Sequence, residues 1–202
     1  MTAGALAITS ERLSIRPLEI KDASELSKAT FETWEELNKW MQWAKVKSEM
    51  TSLSNCMNYL ANCEKKFALG EDLTFGCFLK GCGSFVASIR IATFQANKLL
   101  FEFCGIWCRA KFQRKGYTSE AVKALIALAF TELHAEKLII SHAEGNTPSQ
   151  GLIQKIGFSF TGKRSNHILL PSGENLDACL YEILPKDCDW IDHYRSYFQE
   201  RQ

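Results

Sequence analysis

Long apolar stretches are missing from this 202-residue chain. The longest, Ala124 to Phe130, falls well short of the roughly 20 residues that a bilayer-spanning helix needs. No basic segment precedes the small apolar patch of MTAGALAITSERL, so a secretory leader is not expected and a cytoplasmic protein is. Neither sign of charge prevails: 24 basic side chains face 23 acidic ones, which offers no nucleic-acid footprint and no polybasic membrane anchor. Internal repeats, low-complexity tracts and linkers are absent too, so one domain over residues 1–202 is the simplest organisation. A fraction of 46% apolar residues is ample for a core and excludes a disordered chain. A chain of this length buries roughly 70% of its unfolded surface.

Cysteine is plentiful, with eight, but its spacing is wrong for a staple or a metal. There is no CxxC pair, and no histidine lies at ligand spacing from a cysteine. Cys56 and Cys63 on a helix would sit about 10 Å apart along its axis; Cys104 and Cys108 on a strand, about 13 Å apart. Cys77 and Cys82, which could meet across a hairpin, are the only local candidates for a bridge. The expectation is reduced cysteines packed as small apolar residues, and no metal.

Period-two alternation marks a first strand over Arg12–Leu18, ended by Pro17. Asp22 and Glu25 resemble a capping box, followed at helical spacing by Ala23, Leu26, Ala29, Trp34 and Leu37. A second helix runs over Ser52–Leu69, its stripe formed by Leu53, Cys56, Met57, Leu60, Cys63 and Phe67, with Gly70 as its stop. Between them, Trp34, Trp40 and Trp43 either cover a helix junction or wall a substrate pocket. Strands follow at Leu73–Leu79, Ser84–Phe94 and Leu99–Cys108, divided by the turn sequences Lys80–Gly83 and Gln95–Lys98. The period then changes to that of a helix over Thr118–Leu133. Leu138-Ile139-Ile140 reads as a strand buried on both faces. The next helix begins with Thr147 as N-cap and Pro148 in the first helical position, and ends at Gly157. Phe158–Thr161 and Asp177–Leu184 read as two last strands joined by a polar loop, and Trp190, Ile191, Tyr194 and Phe198 as a short closing helix.

Residues 101–121 carry the chemistry: a strand to Cys108, a basic loop of Arg109, Lys111, Arg114 and Lys115, then Gly116 and a helix. Free N–H groups at the helix start, its dipole and the basic residues suit a pyrophosphate, and Gly116 lets backbone approach a ligand. An ordinary solvated turn would look much the same. The Walker pattern and the three glycines of a dinucleotide fingerprint are both missing.

Gln113-Arg114-Lys115-Gly116-Tyr117-Thr118 resembles the Q/R-x-x-G-x-G/A acetyl-CoA signature of GNAT-type N-acetyltransferases, with Thr118 where the signature has glycine or alanine. The flanking residues resemble the RimJ/RimL branch, the ribosomal-protein N-terminal acetyltransferases. They are Glu11-Arg12-Leu13-x-Ile15-Arg16-Pro17-Leu18, Trp40-Met41-x-Trp43, Gly116-Tyr117-x-x-Glu120-Ala121, and Asn146-x-x-Ser149 with Lys155-x-Gly157-Phe158. The likeness covers residues 11 to 184 in order. It implies an α/β (α+β) fold: a mixed, mostly antiparallel central sheet flanked by helices and splayed between its fourth and fifth strands. It further implies that backbone of Ile106, Trp107 and Cys108 pairs with the pantetheine arm. Residues Gln113, Arg114, Lys115, Gly116, Tyr117, Thr118 and Ser119 would hold the pyrophosphate, Asn146 the arm, and Lys155 the adenine or phosphate end unless it is simply solvated.

Moving an acetyl group from a thioester to an amine requires a proton acceptor, a donor to the oxyanion and an acid for the leaving thiolate. Glu102 on the cleft strand could accept the proton through water, or be only an exposed strand carboxylate. His142 is a rival base better suited to a core or edge role. Ser149 matches the family's acid, with Tyr181 as the alternative. The acceptor is expected to be a protein α-amino group. A small amine (polyamine, amino acid or antibiotic) and a non-catalytic acyl-CoA-binding domain remain alternatives, and both monomer and homodimer stay open.

Overall fold

Along Leu13–Pro17 the alternation leaves Leu13, Ile15 and Pro17 buried and Ser14 and Arg16 half-exposed, the signature of a strand with one face on a core. The computed structural model describes residues 6–94 and 97–194, the side chains of 97 and 98 excepted. In it, eight strands form one sheet in the order β1-β2-β3-β4-β5-β6-β8-β7. They are β1 (Ile8–Thr9), β2 (Leu13–Pro17), β3 (Asp72–Leu79), β4 (Phe85–Phe94), β5 (Asn97–Cys108), β6 (Lys137–Ala143), β7 (Ser159–Leu169) and β8 (Asn175–Ile183). The helices that flank it are α1 (Ala23–Glu32), α2 (Trp34–Trp40), α3 (Lys47–Met50), α4 (Leu53–Leu69), α5 (Tyr117–Thr131) and α6 (Thr147–Ile156). Helix α5 is nearly all apolar and forms the heart of the main core with Ile15, Phe75, Ile89 and Phe103. A second cluster joins Leu26 and Ala29 of α1 and Cys56 and Leu60 of α4 to Phe78 and Phe85.

All strand pairs are antiparallel except β5 with β6, which are parallel and paired only from Leu100–Lys137 to Phe103–Ile140. Beyond that point β5 stays with β4 as far as Cys108, and β6 stays with β8 as far as Ala143. The two strands therefore part. They are the fourth and fifth that the sequence announces, so the splay falls where the resemblance placed it.

Several boundaries move, each for a local reason. The first helical run breaks into α1 and α2 at Thr33, whose hydroxyl accepts the Ala110 N–H at 3.0 Å. Asp22 does not cap α1; its carboxylate takes the Glu19 N–H at 2.9 Å and pairs with Arg16 at 2.7 Å. On α4, Ser52 caps and the left-handed Gly70 stops the helix as expected, but Leu53 and Met57 leave the apolar stripe and are exposed. Strand β6 buries one face rather than two, since Lys137, Ile139 and Ser141 stay half-exposed. Where a polar loop was expected after Thr161, β7 continues to Leu169. It lies at the sheet edge, where side chains face solvent and polarity carries no penalty. The turn expected at Gln95–Lys98 narrows, Asn97 already pairing with Phe94; residues 95 and 96 lie outside the described residues. Ile191–Tyr194 is helical, and Phe198 also lies outside them. All eight cysteines are free, with Cys77 buried and Cys82 exposed.

One ion pair ties the two halves of the molecule. Arg109, only 3% exposed, leaves the end of β5 and donates to Glu32 at 2.6 Å and Glu25 at 3.1 Å on α1. It therefore faces away from the basic loop to which the sequence assigned it. Replacing Arg109 by alanine strands two carboxylates that keep partial access to water. We expect a loss of about 1–3 kcal/mol of stability, seen as a lower urea midpoint with an unchanged m-value.

Candidate active site

Parting of β5 and β6 opens a cleft of about 1780 Å³, lined by the β5 segment 102–108, the ends of β6, the starts of α5 and α6, and one side of α4. The peptide groups of residues 104–108 that face β6 have no strand partner there. Unpaired strand backbone beside a cavity is a ready template for an extended, amide-bearing ligand.

At one end lies the basic loop. Gly116 is the N-cap of α5, in the left-handed region at φ 82°, and Arg114 is left-handed too, at φ 62°. Alternating handedness curls successive N–H groups inward into an anion-binding concavity, next to the unsatisfied amides of Tyr117, Thr118 and Ser119. Thr118 does not cap the helix. It is the second helical residue, near the Cys108 thiol, whose pKa burial raises. The Gln113 side chain donates to the Cys108 carbonyl at 3.2 Å, closing the base of the loop.

A brace missed by the sequence reading holds this loop from behind. Arg12 donates through Nη1 to the Lys115 carbonyl at 3.1 Å and through Nε to Glu120 at 2.7 Å. Glu120 is buried and also accepts from Ser10 Oγ at 2.7 Å and the Arg12 N–H at 2.8 Å. Both residues appear in the motifs that carry the resemblance, but nothing in their spacing joins β2 to a helix 108 positions later.

Helix α6 starts one residue earlier than the sequence suggests. Asn146, not Thr147, is the N-cap, its Oδ1 accepting the Ser149 N–H at 3.2 Å. This moves Ser149 to the third helical position. Its hydroxyl makes no hydrogen bond among the described residues and lines the cleft, as Asn146 does. Lys155 lies farther along the same wall, exposed.

At the opposite end, Glu102 projects half-buried from β5 with no hydrogen bond or ion pair among the described residues. Burial raises its carboxyl above the ordinary glutamate range, against the opposing charges of Arg90, His167 and Arg164. Nearby, Asp72 is saturated by Arg90 at 2.7 Å and Lys66 at 3.6 Å. Trp40 and Trp43 line the cleft, whereas Trp34 is buried with Leu37 and Ala44; the cluster both covers a helix junction and walls the cavity. His142 lines the cleft, but both its ring nitrogens are engaged, Nδ1 with the Ala143 carbonyl at 2.9 Å and Nε2 with the Tyr181 hydroxyl at 3.2 Å. The carbonyl can only accept, which puts the proton on Nδ1 and makes the Tyr181 hydroxyl the donor to Nε2. Tyr181 itself faces a smaller cavity of about 420 Å³ behind His142.

Among the described residues, no group of three or more His, Cys, Asp or Glu is placed to hold a metal, and no helix is long and apolar enough to cross a membrane.

This arrangement, with parted parallel strands, an amide cradle on a glycine N-cap and a half-buried carboxylate opposite, is that of an acyl-CoA-dependent acetyltransferase. The acetyltransferase (GNAT) domain family matches residues 12–159, and the chain belongs to it. A candidate ribosomal N-acetyltransferase of Bacillus subtilis (strain 168), YdaF, is 26% identical over 177 residues, 88% of this chain and 93% of its own. The crystal structure of a probable acetyltransferase superposes with a TM-score of 0.80 at 26% identity, covering 90% of this chain and 98% of that one. Mycobacterium smegmatis RimJ, solved with a CoA disulfide, shares the fold with a TM-score of 0.84 at 18% identity, over 94% of this chain and 93% of its own. The protein is thus an acetyl-CoA-dependent N-acetyltransferase of the GNAT family.

A side chain at Gly116 would be strained by the left-handed backbone, at φ 82°. Gly116→Val should weaken acetyl-CoA binding by at least tenfold in calorimetric titration, with a smaller relative loss of thermal stability, about 1–3 kcal/mol. Unchanged affinity in a folded variant would remove the pyrophosphate from this loop.

Proposed function

We propose that this enzyme, a single acyl-CoA N-acyltransferase domain of the cytoplasm, acetylates the α-amino group at the N-terminus of a protein. The observation that carries the reading is the acceptor end of the cleft. The cleft is lined by Trp40 and Trp43, by the amide side chains of Asn58 and Asn62 of α4, and by two carboxylates that have no hydrogen bond or ion pair among the described residues, Glu36 and Glu102. Amide side chains and aromatic faces suit a peptide backbone better than a small diffusible amine, which needs a closed, acid-rich pocket. The similarity to a candidate ribosomal N-acetyltransferase supports the same acceptor.

Bound acetyl-CoA supplies an acetyl group activated as a thioester. The residues that would hold it fit: the loop from Gln113 to Ser119 for the pyrophosphate, backbone of Ile106 to Cys108 for the pantetheine arm, and Lys155 for the outer end. With its Oδ1 spent on the helix cap, Asn146 keeps its amide N–H groups for the arm. Glu102 removes the ammonium proton through water, and its raised pKa brings it nearer to neutrality, where a base works best. Ser149, at the positive end of α6, protonates the leaving sulfur. Tyr181 stands second, since its hydroxyl reaches the cleft only by way of His142.

Thiol release from acetyl-CoA, measured against N-terminal peptides and small amines, tests the acceptor: turnover confined to small amines would overturn the reading. Glu102 must be ionised to act, so kcat/KM should rise with pH through a value above the ordinary glutamate range. Glu102→Gln should remove that rise and lower kcat by about 10²–10³ at pH 7. The deficit should narrow as the pH approaches the amine's own pKa, because a free amine needs no base. Ser149→Ala should cut kcat by roughly 10²–10⁴, with melting temperature and acetyl-CoA affinity nearly intact, because Asn146 already caps the helix. A kcat within about threefold of wild type would transfer the acid role to Tyr181.

A further inference from the structure

We infer that the acceptor end of this cleft selects amines bearing a carboxylate close to the reacting nitrogen, with Glu102 taking the ammonium and Arg164, backed by His167, taking the carboxylate. This rests on the proposed acceptor site and adds the chemistry of the group beside the amine.

The placement comes from a break in β7. Its pairing with β8 slips between Arg164–Ala178 and Ile168–Leu176, which leaves Ser165, Asn166 and His167 outside the ladder. Bulges of this kind re-aim side chains and recur beside active sites. This one is held in place: Asn166 is left-handed at φ 50°, and its N–H is caught by the Asp177 carboxylate at 3.0 Å. His167 is thereby turned into the cleft that Glu102 lines, with Arg164 Nη1 3.4 Å from its Nε2.

A second break faces it. The β4–β5 register shifts between Arg90–Gly105 and Ile91–Phe103, so Cys104 is skipped just as β5 leaves β6. Glu102 stands immediately before this shift.

Charge pairing then singles out Arg164. Around this end, Arg90 and Lys66 are both committed to Asp72. Arg164 has no acidic partner within ion-pair distance among the described residues, and neither does Glu102 have a basic one. Yet the two lie close enough that the charges of His167 and Arg164 pull against the desolvation of the Glu102 carboxyl. An acceptor that brings only an ammonium satisfies Glu102 and leaves Arg164 without a partner. One that also brings a carboxylate satisfies both, and a guanidinium is the donor best matched to a planar carboxylate. That carboxylate is either an Asp or Glu side chain in the second residue of a peptide, or the α-carboxylate of a free amino acid.

The test compares kcat/KM for three hexapeptides that differ only in a second residue of Asp, Asn or Lys, and for serine against ethanolamine. In the wild-type enzyme the Asp peptide should exceed the Asn peptide by about three- to tenfold, with the Lys peptide last. Arg164→Glu, at an exposed position outside the acetyl-CoA loop, should reverse the order of the Asp and Lys peptides. Peptides turned over without regard to charge, or an unchanged ranking in Arg164→Glu, would overturn this inference and leave the protein acceptor standing. No peptide turnover, with serine strongly preferred to ethanolamine, would overturn the protein acceptor and keep the carboxylate site. An enzyme inactive on every acceptor would overturn both.

Discussion

The parting of two parallel strands is the constraint on which the rest of the molecule depends. Strands β5 and β6 share only four register pairs before each is claimed by its other neighbour. Backbone groups left unpaired inside a protein are costly unless something satisfies them. A cleft floored by such groups is a strong template for an extended ligand with its own amides, which describes the arm of acetyl-CoA.

Helices α5 and α6 both point their N-termini at the cleft, and both are set by unusual first residues. Gly116 begins α5 in a conformation a side chain would strain, and Asn146 begins α6 by spending its carbonyl oxygen on the Ser149 amide. In each case the local backbone is fixed before any ligand arrives. The Arg12–Glu120 brace does the same from behind the loop, tying Ser10 and Arg12 to Glu120 of α5 through three contacts of 2.7 to 2.8 Å and Arg12 to the Lys115 carbonyl at 3.1 Å. Pre-ordering of this kind lowers the entropy that ligand binding must overcome.

The two ends of the cleft have opposite electrostatic character. At the loop, helix amides and lysines suit an anion; toward Glu102, an unpaired carboxylate stands near the unpaired Arg164, while Arg90 and Lys66 are spent on Asp72. The buried Arg109 belongs to neither end. It pairs with Glu25 and Glu32 on α1, away from the cleft lining.

Local signals were enough to recover the alternation of β2, the strands β3 to β5, the apolar stripe of α5, the stop at Gly70 and the glycine of the basic loop, because each depends on neighbours within a few residues. The family resemblance placed the splay. Other features depended on contacts between residues far apart in sequence. Thr33 breaks a helix because Ala110 needs an acceptor, and β7 runs on through polar residues because nothing covers a sheet edge. Arg109 turns to α1 because two glutamates wait there. Whether Tyr181 or Ser149 faces the cleft, and which carboxylate is left unpaired, are matters of side-chain direction and competing partners. Local spacing carries none of that, since burial and pairing are decided by which distant strand or helix arrives opposite.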